Sequence, residues 1–77
     1  LKMLKTVTIG QRIYHMSQKE AQGLLQIASD NVEFGIYAVE KNNKLDMLNL
    51  KMPSKTALKR QLRSFKAQGF KVYCNGL

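Results

Sequence analysis

The chain has 77 residues, and its 13 lysines and arginines exceed its 5 aspartates and glutamates by 8, giving a net charge of +8. This length predicts a single domain with a small core over residues 1–77, and a hydrophobic content of 44% excludes a disordered chain. The charge favours polyanionic partners, namely nucleic acid, an anionic membrane surface or an acidic protein.

Strand-forming residues cluster on both sides of Gly10 between Lys5 and Met16. Val7, Ile9, Ile13 and His15 share one parity, and Thr6, Thr8, Arg12 and Tyr14 share the other. This alternation favours one long strand with an apolar and a polar face. The alternative is a hairpin that turns at Gly10-Gln11, which would pair Thr8 with Ile13 and mix the two faces.

A capping box marks the next element, with Ser17 at the N-cap and Glu20 at N3. Apolar residues then recur at helical spacing from Ala21 to Ala28, which predicts a helix that ends near Ser29.

Residues 32–52 have the pattern of a β-hairpin around Asn42 and Asn43. A two-residue turn would set Ala38 opposite Met47 and mix polar with apolar residues on each face. A three-residue loop, Asn42 to Lys44, gathers the apolar residues on one face, and we therefore prefer it.

The stretch from Ser54 to Tyr73 has the clearest helix-boundary residues in the sequence. Ser54 suits a helix N-cap, and Gly69 followed by Phe70 suits a Schellman ending in which Phe70 contacts Phe65. A last strand, Phe70 to Cys74, follows, and the ends of the chain, residues 1–3 and 75–77, are expected to fray.

These elements follow the order strand, helix, strand, strand, helix, strand. With right-handed crossovers the order predicts an α+β fold of the ferredoxin-like split βαβ type (βαββαβ): a four-stranded antiparallel sheet with both helices on one face.

Catalytic and metal-binding patterns are nearly absent from the sequence. His15 is the only histidine and Cys74 the only cysteine, so a zinc site and a disulfide framework are both excluded. We therefore expect a non-enzymatic protein without cofactors or metals, and the single cysteine fits a reducing, cytoplasmic compartment. A small hydrolase that works through His15 with Arg12 is a minor alternative.

Two predicted surfaces have the composition of a binding site. The first is a cationic stripe on the second helix, without any acidic residue between Asp46 and the C-terminus to neutralise it. The second is the sheet face that the helices would leave open, where cations and tyrosines alternate as single-stranded nucleic acid requires. The stripe comprises Lys55, Lys59, Arg60, Arg63 and Lys66, and the open face comprises Arg12, Tyr14, Tyr37, Lys51, Lys71 and Tyr73.

The sequence therefore predicts a small basic protein that binds DNA or RNA and does not enter a membrane. The alternative is an interaction or inhibitor module that docks on an acidic protein partner. Under this alternative, the tyrosine-bearing face is an interface with another protein or with a second copy in a homodimer.

Overall fold

A computed structural model describes residues 4–77 and confirms the α+β class. The predicted four-stranded antiparallel sheet is wrong, because the sheet has five strands in the order β2-β1-β4-β3-β5 and its β1 and β4 are parallel. The strands are β1 (Leu4–Ile9), β2 (Arg12–Ser17), β3 (Gly35–Lys41), β4 (Lys44–Lys51) and β5 (Lys71–Asn75), and the helices are α1 (Gln18–Asn31) and α2 (Lys55–Ala67).

The extra strand arises at Gly10, where the chain turns back on itself. Gly10 has a φ of 63°, a value that glycine adopts without steric cost, while Gln11 keeps a negative φ, as in a type II′ turn. Thr8 pairs with Ile13 as the hairpin alternative required. The preferred single strand is therefore wrong, and the hairpin is confirmed.

This hairpin changes the topology of the whole sheet. β2 occupies the edge of β1 that the last strand of a ferredoxin-like fold would take, so β5 pairs with the outer edge of β3. The two crossovers, β2-α1-β3 and β4-α2-β5, then both lead toward the β5 edge of the sheet. The strands from which they start, β2 and β4, run in opposite directions. Because such crossovers are right-handed, the two helices fall on opposite faces.

Two separate cores confirm that each face carries one helix. The first joins Ala21 and Leu25 of α1 to Val7, Ala38 and Leu45 of the sheet. The second joins Leu58 and Leu62 of α2 to Ile36 and Val39, and all three phenylalanines pack against it: Phe34, Phe65 and Phe70. The prediction of both helices on one face is wrong.

The β3–β4 hairpin combines the two registers that the sequence suggested. Asn42 and Asn43 both have positive φ, 53° and 61°, as a two-residue type I′ turn requires. Ala38 consequently faces Met47, and the preferred three-residue loop is wrong. A bulge between Ile36 and Ala38 then shifts the register so that Ile36 faces Leu50, and each face receives apolar side chains for its own helix.

The helix ends follow the local sequence closely. Ser17 and Glu20 form the predicted capping box at the start of α1, and the side chain of Ser54 accepts a hydrogen bond from the backbone N–H of Ala57 at the start of α2. At the end of α2, Gly69 has a φ of 88° and its N–H donates to the carbonyl of Lys66, while the N–H of Phe70 donates to the carbonyl of Phe65. The predicted Schellman ending is confirmed.

The C-terminal tail is held in place from Asn75 onward. Asn75 belongs to β5, and its side-chain Nδ2 donates to the carbonyls of Ser29 and Val32 at 3.0 and 2.9 Å, while Gly76 lies against the ring of Phe34. The expected fraying is therefore wrong for Asn75 and Gly76. The same expectation for residues 1–3 lies outside the described residues.

Candidate nucleic-acid interface

A row of cations runs along one side of α2, next to the stripe that α2 buries. Leu58 and Leu62 are 0% and 7% exposed and anchor the helix on the sheet. The predicted cations of this helix are all exposed and stand together on the neighbouring side. We call this set the cationic flank of α2: Lys55, Lys59, Arg60, Arg63 and Lys66.

The cationic flank has no ionic partner among residues 4–77. In that range the one ion pair joins Lys5 to Glu40, on the other face of the sheet. One lysine near the end of α2 is engaged within the fold: Lys41 Nζ donates to the carbonyl of Gln68 at 2.7 Å and lies 5.3 Å from the centre of the Phe70 ring. The positive charge of the flank is therefore available to an external anion.

The flank lies on the side of the edge strand β5. Burial raises the pKa of the Cys74 thiol above its ordinary value, and the charge of Lys66 partly opposes this rise. Lys66 is therefore close to β5, and the α2 core packs against Val72 and Cys74 of that strand, so the C-terminal end of the flank lies beside this edge of the sheet. Cys74 is half-buried against the α2 core.

Tyr37 and Tyr73 do not stand on an open face. Both are half-buried, pack against the α1 core and have ring centres 6.1 Å apart at 45°. Their rings line a cleft of about 160 Å³ with residues of α1 that include Gln22 and Gln26. The predicted open aromatic face is wrong, because α1 covers the face on which these rings lie.

Tyr73 belongs to a polar cluster at the border of this face. Its hydroxyl donates to Glu40 Oε1 at 2.8 Å, and Lys5 Nζ donates to Glu40 Oε2 at 2.5 Å. Lys71 stands above the Tyr73 ring, with its Nζ 5.0 Å from the ring centre. This cluster holds Lys71 and Tyr73 within the fold, so neither of them is as free to bind a ligand as the cationic flank.

The charges in this cluster shift three pKa values. Burial alone would raise the pKa of Glu40, but the hydrogen bonds from Lys5 and Tyr73 and the charges of Lys5 and Lys71 outweigh it and lower that pKa. Burial and the hydrogen bond to Glu40 raise the pKa of Tyr73. The interactions with Tyr73 and Glu40 raise the pKa of Lys71. The cluster therefore favours a charged Glu40 and a neutral Tyr73.

The remaining predicted residues lie away from the cationic flank. Arg12 and Tyr14 belong to β2, at the opposite edge of the sheet from β5. Lys51 lies at the end of β4 and lines a cleft with the acidic residues Asp30 and Glu33. The structure thus gathers the five cations of α2 into one surface and does not bring Arg12, Tyr14 or Lys51 to it.

His15 is exposed on β2, and its Nδ1 lies 3.3 Å from the hydroxyl of Thr6. Within residues 4–77, His, Cys, Asp and Glu side chains nowhere gather in the groups of three or more that could hold a metal ion.

Sequence reasoning missed the pairing of Lys5 with Glu40. These residues are 35 positions apart and meet across β1, β4 and β3. The one available signal is that Lys5 shares its parity with Val7 in β1, which places a lysine on a core-facing position. A lysine there requires a buried or half-buried acidic partner.

Comparisons of the chain with protein-family models, with curated proteins and with solved structures find no match. Within residues 4–77, neither helix combines the length and the apolar character needed to cross a membrane.

Proposed function

We propose that this protein is a small basic nucleic-acid-binding protein that contacts the phosphate backbone through the cationic flank of α2. The observation that carries the proposal is a surface of five exposed cations without an ionic partner among the described residues. Like charges on one helix destabilise it, so a flank without neutralising carboxylates is best explained by an anionic ligand.

The dimensions of the flank suit a run of phosphates. Lys55 and Lys66 are eleven positions apart, which corresponds to about 16 Å along a helix at about 1.5 Å per residue. Phosphates on one strand of a duplex are separated by about 3.4 Å along the axis, so the flank spans roughly five of them. Contacts of this kind carry no sequence information, and we therefore expect binding without base preference.

An acidic protein is the alternative ligand for the same surface. It would present carboxylates in place of phosphates, and arginine binds both groups in the same bidentate geometry. The length of the flank does not distinguish a nucleic acid from an acidic protein, so the binding experiment has to be able to detect either ligand.

The test is a fluorescence anisotropy titration of labelled single-stranded and duplex DNA and RNA at about 50 and 200 mM salt. Neutralising four to five phosphates predicts that affinity falls roughly 50- to 130-fold for single strands and roughly 150- to 500-fold for duplexes over this range. A flat salt response, or no binding at the lower salt concentration, would contradict the proposal. A stable complex with an acidic protein under those same conditions would favour the alternative.

Two double variants with the same change of charge show which surface binds. Arg60→Gln with Arg63→Gln removes two cations from the flank, whereas Arg12→Gln with Lys19→Gln removes two exposed cations from β2 and α1. We expect the first pair to weaken binding at least tenfold and to lower the salt slope by about 2. The second pair is expected to change affinity by less than about threefold, and equal losses would show that net charge, rather than the flank, drives binding.

A further inference from the structure

Exposed apolar side chains are concentrated in the half of the fold that is remote from α2. Among the described residues, the large apolar side chains at least 40% exposed are Leu4, Ile9, Ile13, Tyr14, Ile27 and Leu77. All except Leu77 belong to β1, β2 or α1. The molecule therefore has an apolar border at β2 and a cationic border at β5 and α2.

The apolar border includes a free strand edge. β2 pairs with β1 on one side only, and its residues from Arg12 to His15 are all exposed. Ile13, 65% exposed, shares a face with Thr8, and Tyr14, 40% exposed, shares the other face with Val7. Apart from Arg12 at its start, this edge strand has no lysine, carboxylate or proline, and it carries apolar side chains on both faces, so it has little of the usual protection against pairing with another strand.

The hydrogen-bonding groups at this edge can be assigned from the hairpin. A two-residue turn makes Ile9 and Arg12 a hydrogen-bonded pair, and such pairs alternate along an antiparallel ladder. The N–H groups of Arg12, Tyr14 and Met16 therefore point toward β1. Those of Ile13 and His15 point away from the sheet and have no strand partner.

A groove next to the Gly10 turn, lined by β1 and β4 rather than by β2, extends the apolar surface onto α1. It has a volume of about 250 Å³ and lies between Leu24 and Ile27 of α1 and Ile9 and Met47 of the sheet. Ile27 is 59% exposed although it lies on a helix that packs against the sheet. Ile9 pairs with Arg12 at the start of β2, so this groove begins one strand in from the edge. We call the edge of β2 together with this flank of α1 the β2 border.

We infer that the β2 border binds a second copy of this chain, with the two β2 strands antiparallel across a two-fold axis. An antiparallel edge pairs with itself without any change of sequence, as a two-fold interface requires. The charge distribution selects this border, because two molecules of net charge +8 repel least when their cationic borders lie at the two far ends.

The available surface fits this occupant. A stable interface buries about 800 Å² on each partner, roughly one seventh of the 5545 Å² surface of this chain. Six residues of strand edge are too few to supply this area, so the apolar flank of α1 has to take part. A two-fold axis centred on Tyr14 would pair Ile13 of each copy with His15 of the other and would bring the two Tyr14 rings together.

The test is the molar mass of the free protein by light scattering between low and high micromolar concentration. Wild type is expected to reach twice the mass of the chain. Ile13→Lys is expected to remain monomeric, because two lysines would be brought into the paired edge. Leu77→Lys places the same substitution at a residue of equal exposure, 64%, outside the border, and is expected to dimerise as wild type does.

Amide hydrogen exchange provides a second readout that does not depend on a variant. At concentrations where the mass doubles, the amides of Ile13 and His15 should gain protection, while those of Arg12, Tyr14 and Met16 should be protected at every concentration. A monomeric mass up to high micromolar concentration, or a dimer in which Ile13 and His15 exchange freely, would overturn the inference. These results do not depend on nucleic-acid binding, which the charge variants test separately.

Discussion

Glu40 shows how a single side chain links the stability of the fold to pH. Its carboxylate accepts hydrogen bonds from Lys5 and Tyr73 on the α1 face of the sheet, where its side chain is 16% exposed. These contacts lower the pKa of Glu40 below 4.5, its ordinary value. The charged form therefore stabilises the fold above that pH, and this contribution is lost as the pH falls through the lowered pKa.

Replacing Glu40 with glutamine should remove this pH-dependent contribution. At neutral pH we expect Glu40→Gln to lower the free energy of unfolding by about 1 to 3 kcal/mol, because Lys5 loses its charged partner. The difference from wild type should shrink as the pH falls below 4.5 and through the lowered pKa of Glu40, because Glu40 itself then becomes neutral. Urea unfolding at neutral and acidic pH measures this.

Tyr73→Phe is the matched control for the same cluster. It removes the hydrogen bond from the hydroxyl to Glu40 but leaves the pair with Lys5, so we expect a smaller loss of about 1 kcal/mol at neutral pH. If the gap between Glu40→Gln and wild type stays constant from neutral to acidic pH, the pairing does not have the role assigned to it here.

At the scale of single elements, the sequence predicted the features that depend on residues a few positions apart. The capping box of α1, the N-cap of α2 and its Schellman ending all follow from contacts within about five positions. The five-cation flank was predicted for the same reason, since the helical repeat alone places it beside Leu58 and Leu62. Local patterns therefore predicted the position of the cations on α2 better than they predicted the pairing of the strands.

Two glycines test whether the ends and the interior of the helices have the roles assigned to them. Gly69 ends α2 with a φ of 88°, so Gly69→Ala should destabilise the protein by about 1 to 2 kcal/mol through backbone strain. Gly23 lies inside α1 with open space around its Cα, so Gly23→Ala should stabilise it by up to about 1 kcal/mol. Thermal or urea unfolding of both variants checks the opposite signs.

Both variants replace a glycine with an alanine, which makes them matched controls for each other. Lys41 approaches the position of a Cβ at Gly69 to 3.5 Å, an ordinary contact, so strain rather than a clash would cause the loss. A gain of stability in Gly69→Ala would show that α2 does not end in the left-handed conformation described here.

For the whole molecule, the strand pairing could not be predicted from one assumption about faces. The sequence disfavours the turn at Gly10 and the two-residue turn at Asn42-Asn43, because each turn mixes apolar and polar residues on both faces. That argument holds for a sheet with one buried face. Here a helix covers each face, so Ala38 and Val39 are both buried although they point in opposite directions.

The assumption of one buried face also led to the wrong prediction of an open, tyrosine-bearing sheet face. Tyr37 and Tyr73 do share a face with Arg12 and Lys71, as the parity predicted. Whether a helix covers that face depends on which edge β5 occupies, and this pairing involves residues more than 30 positions apart. The cationic flank needs no such information, and it remains the basis of the proposed function.

The division of the molecule into a cationic border and an apolar border also separates its two proposed interactions. The cationic flank lies next to β5, whereas Ile13 and Tyr14 lie at the opposite edge of the sheet. A dimer formed through β2 would therefore carry two free cationic flanks. We expect Ile13→Lys to abolish dimerisation while each monomer keeps its flank for binding.

Mapping a bound oligonucleotide on the protein by NMR tests the central claim most directly. In a titration of the labelled protein with an oligonucleotide of about ten nucleotides, the largest amide shifts should fall within α2, around Lys59, Arg60 and Arg63, and at the adjacent part of β5. Amides of β2 should shift little at a fixed protein concentration. Binding whose shifts centre on β2 or on the cleft beside Lys51, with α2 unchanged, would contradict the account.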